Sequence, residues 1–258
     1  MIILGIIQGV TEWLPISSSG HLIILAKFLG LAATPLFDIL LHVGTLVVVI
    51  FFFRKEVKSI LSAIVKWDFG SEYGKLIPVI IVATIPTAAI GLLYVQFLED
   101  SLQSILPIGI AFIIGGIFVY SSRFAKEKIE NVTFQKASVI GTAQGFAAFH
   151  GLSRSGVTIS TALLLGLKRD EAFKFSFLLS IPAILGDLFV EIYKQRGQIA
   201  VSGVSWTELL IGVFVAMIVG YFALKLLSTI VANKKFHYFA LYTWLLGATL
   251  IILALNGF

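Results

Sequence analysis

One polar stretch set in apolar sequence occurs twice. The chain reads QGVTEWLPISSSGH from Gln8 to His21 and, 136 positions on, QGFAAFHGLSRSGVT from Gln144 to Thr158. At that offset Gln8 falls on Gln144, Gly9 on Gly145, Ser17 on Ser153, Ser19 on Ser155 and Gly20 on Gly156. Any fold for this chain must place two loops rich in hydroxyls and glycine, each flanked by hydrophobic helix-like sequence, in equivalent surroundings.

Those surroundings are a membrane. With 58% hydrophobic and only 13% charged residues over 258 positions, the chain has too little polar surface to coat a soluble globule of its size. Several apolar runs reach the roughly 20 residues that a helix needs to cross a hydrocarbon core, whereas the short alternating segments of a β-barrel are missing. There is no cysteine, hence neither a disulfide nor a thiolate metal site. The N-terminal MIILGIIQGV has no basic leader and carries Gln8, so it reads as part of the fold. A net charge of +5 invites a nucleic-acid reading, but the basic residues sit where a membrane topology puts them, which argues against that class.

Six spans are expected, at about 36–53, 76–96, 105–122, 172–194, 206–232 and 237–256. Connection 54–75 holds Arg54, Lys55, Lys58, Lys66 and Lys75, and 123–136 holds Arg123, Lys126, Lys128 and Lys136, whereas 97–104 has only Glu99 and Asp100. The positive-inside rule makes the first two cytoplasmic and the third external, and Lys168, Arg169, Lys234 and Lys235 fall inside by the same alternation. Segment 137–167 then lies between two cytoplasmic anchors and must return to the side it entered. Its arms, about 137–149 and 156–167, form a re-entrant hairpin broken at His150-Gly151. A matching hairpin, 1–14 and 20–30, enters from outside and breaks at Pro15, which lacks an N–H and obstructs the preceding turn.

The expected fold is an all-α polytopic membrane protein in a single domain, 1–258. It is an inverted-topology repeat with six spans and four half-helices: repeat 1 covers about 1–122 and repeat 2 about 137–258, joined by the cytoplasmic loop 123–136. An odd number of spans per half inverts the second copy, sets the broken helices face to face near the midplane, and leaves both termini outside.

Gln8 and Glu12 are four apart and share a helix face. A carboxylate in an apolar half-helix is costly unless paired, so Glu12 is either functional or solvated at the outer surface. Ser17, Ser18, Ser19 and Gly20 follow the Pro15 break; a helix start with adjacent hydroxyls suits an anion, and a serine run also serves simply as a cap. Ser153, Arg154, Ser155 and Gly156 repeat that pattern with a guanidinium added. Arg154 needs an anionic partner, either phosphate or Glu12 itself. Ser18 and Arg154 occupy equivalent positions, so a pseudo-two-fold brings a nucleophile opposite a phosphate clamp. His21 follows the serines and can titrate near neutral pH. His42 reads as packed or hydrogen-bonded; Asp38 belongs to a cap or a mouth; His150 and Asp187 carry no assigned task.

These motifs resemble two signatures of the undecaprenyl pyrophosphate phosphatase family. QGVTEWLPISSSGH is similar to the family's (E/Q)xxxE region running into Pro-x-Ser-Ser-(Thr/Ser)-Gly-His, and HGLSRSGVT to its PGxSRSxxT, with His150 where the family has proline. The resemblance implies an enzyme of the plasma membrane that removes the terminal phosphate of a long-chain polyprenyl pyrophosphate and so recycles the lipid carrier for cell-envelope polymers. It further implies an active site open to the extracytoplasmic side and a divalent cation, Mg²⁺ or Ca²⁺. Glu12 matches the essential acid, Gln8 the position allowed Glu or Gln, Ser18 the nucleophile or its close helper, and His21 the motif histidine. Arg154 with Ser153, Ser155 and Thr158 matches the phosphate-gripping motif.

The mechanism expected on that basis has Arg154 and the serine loops, including Ser17 and Ser19, hold the phosphates. Glu12 and Gln8 bind the cation, and Ser18 attacks in line with His21 or Glu12 taking its proton; direct attack by water is the variant. Partners are the polyprenyl pyrophosphate and membrane lipids, with no nucleic acid, and a homodimer is allowed. The rival class is a lipid-phosphate transporter built on the same inverted-repeat anion site, and a weaker one is a channel with a structural Glu12–Arg154 pair.

Overall fold

The computed structural model describes residues 1–30, 34–128, 131–195 and 205–257. Its helices are α1 Ile2–Trp13, α2 Ser18–Leu29, α3 Pro35–Phe52, α4 Arg54–Val65, α5 Leu76–Phe97, α6 Glu99–Leu102, α7 Ile105–Ser121, α8 Phe134–Phe146, α9 Arg154–Leu164, α10 Arg169–Gln195, α11 Trp206–Ala232 and α12 Phe239–Leu255. Among the described residues there is no β-strand, so the all-α expectation holds. Five helical segments are long and apolar enough to cross a membrane alone, and α3 with α4, bent by 86° at their junction, makes a sixth candidate. The protein is thus a multi-pass membrane protein. Ile129 and Glu130 of the 123–136 connection lie outside the described residues.

Both expected hairpins form. Leu14 takes the extended conformation that a residue before proline favours, which ends α1 at the Pro15 break. At the second tip Gly151 has φ +100°, and a Cβ there would lie 2.6 Å from the Ile108 carbonyl, so only glycine fits. The second arms start alike. Ser17 caps α2 by accepting the Gly20 N–H, and Ser153 caps α9 by accepting the Gly156 N–H at 3.2 Å.

First arms pack alongside middle spans: α1 runs along α11, and α8 along α5, while α7 pairs with α12. Glycines make these contacts tight. A Cβ on Gly5 would sit 2.3 Å from the Gly212 carbonyl, and one on Gly141, the residue 136 positions on, 2.0 Å from the Ala83 carbonyl. The two second arms differ. In α9 every residue from Ser155 to Leu163 is buried, whereas α2 is half-exposed, resting Ile23, Ile24 and Phe28 against Ile105, Ile108, Phe112 and Leu250. An aromatic cluster of Trp13, Phe53, Phe173 and Phe177, with contacting ring centroids 4.7–6.0 Å apart, forms part of the main buried core.

One element goes beyond the sequence expectation. Segment 54–75, read as a charged connection, contains α4, which packs Val57 and Ile60 inward and leaves Leu61, Ile64 and Val65 exposed.

Candidate active site

The last turn of α1 brings Gln8 and Glu12 to the same point as the first turns of α2 and α9. Glu12 is 8% exposed, and its carboxylate accepts from three side chains. Oε1 takes the Arg154 guanidinium in a salt bridge, and Oε2 takes the Ser18 hydroxyl at 2.6 Å and the Gln8 amide at 3.1 Å. Three donors are thus directed at one buried carboxylate, which offsets the penalty of holding its charge away from water. The structure joins Gln8, Glu12, Ser18 and Arg154 in one cluster with Glu12 at its centre, so the Glu12–Arg154 pair exists and Ser18 is part of it.

The other serines tie the two tips together. Ser17 Oγ accepts the Gly151 N–H at 3.2 Å from the opposite hairpin, Ser153 Oγ donates to the Leu14 carbonyl at 3.4 Å, and Ser155 Oγ donates to the Trp13 carbonyl at 2.9 Å. Ser19 lies 3.4 Å from Ser17 and Ser153 lies 3.2 Å from Ser155, hydroxyl to hydroxyl. Thr158 turns its hydroxyl back to the Arg154 carbonyl, 2.8 Å away. Ser17 holds its cross-hairpin bond at φ 63°, a conformation that non-glycine residues avoid.

His21 stands apart from the carboxylate. Its Nδ1 lies 2.7 Å from the Ser17 carbonyl and its Nε2 2.7 Å from the Tyr242 hydroxyl, so the Ser18 proton faces Glu12 and not His21. His42 is hydrogen-bonded through Nδ1 to the Asp38 carbonyl at 2.9 Å, and the α3 cap is Thr34, not Asp38. His150 bonds the Tyr94 hydroxyl at 2.7 Å, away from the cluster.

A cavity of about 10 Å³, room for one water, lies behind the ion pair among Glu12, Arg154, Ser155, Thr158, Ser176 and Ser180. Ser176 is 3% exposed with a hydroxyl that has no hydrogen-bond partner. Sequence reading passed over Ser176 and Ser180. Their spacing of four puts two hydroxyls on one face of an apolar span, and that was the available signal. Tyr242 was also missed, and its sequence context offered no signal.

Among the described residues no three His, Asp or Glu side chains gather into a metal-binding group. Gln8 Oε1, beside Glu12, is buried and lacks a hydrogen-bond partner. One carboxylate with one free amide oxygen fits a hard cation that takes its remaining ligands from water and phosphate.

Fold and site together define a polytopic helical membrane protein in which two broken-helix hairpins converge on a buried acid, hydroxyl and guanidinium. The chain belongs to the bacitracin resistance protein BacA family, whose model matches residues 1–249. It is 42% identical to an undecaprenyl-diphosphatase of Carboxydothermus hydrogenoformans over 99% of this chain and 97% of that protein. It is 38% identical to one of Korarchaeum cryptofilum over 98% and 97%. A third undecaprenyl-diphosphatase, of Treponema denticola, is 42% identical over 97% and 95%.

Proposed function

We propose that this chain hydrolyses undecaprenyl-type pyrophosphate to the monophosphate and inorganic phosphate, returning the lipid carrier to cell-envelope synthesis. The observation that carries the reading is Glu12 holding both Ser18 and Arg154 at one buried point of a membrane fold. The relatives point the same way, since those quoted are named for hydrolysis; nothing in them supports the transporter alternative.

Arg154 offers Glu12 one arm of its guanidinium and keeps further N–H donors for a phosphate oxygen. Ser18 attacks the terminal phosphorus, its proton passes to Glu12 Oε2, and the P–O bond to the prenyl monophosphate breaks. Water then releases phosphate from the serine. Glu12 and Gln8 Oε1 would hold a divalent cation, Mg²⁺ or Ca²⁺, which would neutralise the pyrophosphate charge. The prenyl tail leaves for the bilayer on the half-exposed α2 side.

The one-water cavity beside Glu12 favours a second route, in which water attacks and Glu12 is its base. Ser18→Ala separates the two. The serine route predicts that turnover falls about 10³-fold or more, within the range a positioned nucleophile and base supply, whereas the water route leaves turnover within about tenfold.

The orientation belongs to the same proposal. The halves are inverted repeats, basic connections face the cytoplasm of the plasma membrane, and the site opens to the extracytoplasmic side with both termini there. Phosphate release from farnesyl or longer prenyl pyrophosphate by purified protein in detergent, with and without EDTA, tests the activity and its cation. Folded protein that binds lipid pyrophosphate yet releases no phosphate in added Mg²⁺ or Ca²⁺ refutes it.

A further inference from the structure

His21 is held by two hydrogen bonds that fix its proton. The Ser17 carbonyl can only accept, so Nδ1 carries the hydrogen at that 2.7 Å contact, and in the neutral ring Nε2 is left as a lone pair. Tyr242, from the first turn of α12, places its hydroxyl 2.7 Å from that lone pair and must donate to it. The two rings lie nearly parallel, 6° between planes and 5.8 Å between centroids, and the edge of Phe112 closes one side of the imidazole at 5.6 Å. The first tip, α7 and α12 therefore converge on the ring that α2 carries. Nothing in this arrangement serves the Glu12 ion pair.

We propose that Tyr242 is a positioning residue for His21, which acts in the phosphatase reaction through Nε2. The Ser17 carbonyl sets the Nδ1–H tautomer, and the phenol holds the Nε2 lone pair at a fixed place on the half-exposed α2 side of the cluster. When His21 takes up a proton the bond reverses, Nε2–H donating to the phenol oxygen, so the ring keeps its place in both charge states. Ser18 already has Glu12 as its proton acceptor, which leaves the neutral Nε2 as the base of the second step: as the phenol hydrogen turns aside, the water that releases phosphate from the serine gives its proton to Nε2, and Glu12 returns its own to Ser18. The inference rests on the phosphatase reading for its kinetic readout and is independent of it for its spectroscopic one.

The test combines Tyr242→Phe, His21→Ala and the double variant with ¹⁵N spectra of the His21 side chain in detergent. Tyr242→Phe is expected to lower kcat about five- to tenfold, the effect of one neutral hydrogen bond, with KM within about twofold. In the His21→Ala background the same substitution should add nothing. The wild-type spectrum should show protonated Nδ1 and lone-pair Nε2, with Nε2 shifted in Tyr242→Phe. Equal loss of kcat in both backgrounds, or a His21 spectrum unchanged by removing the hydroxyl, overturns the proposal. Should wild-type protein release no phosphate, the phosphatase reading fails while the spectra still decide whether Tyr242 donates to Nε2.

Discussion

Glu12 is the residue on which both hairpins depend, because its carboxylate receives Arg154 from one and Ser18 from the other. Replacing it with glutamine keeps the shape, removes the charge and leaves Arg154 facing an amide. Turnover should be lost. Unfolding in detergent should also move, by about 3 kcal/mol, the lower end for a broken buried pair, because the Arg154 side chain keeps 19% of its surface exposed. Arg154→Lys separates charge from geometry. It retains a cation for Glu12 but not the planar fork, so folded yield should match wild type while phosphate release falls about 10²-fold. Wild-type activity in Arg154→Lys would show that a point charge suffices and would remove the guanidinium's phosphate contact from the mechanism.

The hairpins were legible as elements because each break has a local cause: Pro15 and its extended predecessor at one tip, and Gly151 with φ +100° at the other. Their arms are also too short to span. α4 was hidden because a cluster of Arg54, Lys55 and Lys58 reads as solvated connection, although Val57, Ile60 and Ile64 follow a helical period beside it. Tyr242 could not have been found, since a tyrosine in a lipid-facing helix has no pattern that distinguishes a partner of His21 from an ordinary exposed aromatic. The same limit applies to Gly141, whose role depends on where α5 lies. At that contact the Thr87 hydroxyl also bonds the Gly141 carbonyl at 2.8 Å. Gly141→Ala should therefore separate α8 from α5 and cost about 2 kcal/mol, an ordinary overpacking penalty. Gly91→Ala, in the same α5 but with nothing within 4 Å of the new methyl, should stabilise by about 0.5–1 kcal/mol. Melting both variants in one detergent checks the pair; similar shifts in the two would show that helix propensity, not the contact, sets the outcome.

At the scale of the whole molecule the charges mark two ends. Arg169 bonds Glu127 at 2.7 Å and reaches the Val231 carbonyl at 3.5 Å, which gathers the start of the 123–136 connection, the start of α10 and the end of α11 at one end, with Lys234 close by. At the other end Lys194 of α10 pairs with Glu99, next to the acidic Asp100. The turn of 86° from α3 into α4 puts a helix bearing Arg54, Lys55 and Lys58 across the direction of the spans, as an interfacial helix at a basic membrane face lies. In the proposed orientation the basic end faces the cytoplasm. The native chain has no cysteine, so single cysteines report without background. A cysteine at Gln103 should react with a membrane-impermeant maleimide on intact cells, and one at Lys126 only after the membrane is opened. The reverse pattern would turn the protein over and place the α2 side of the site toward the cytoplasm, where it could not meet a pyrophosphate lipid released on the outer face.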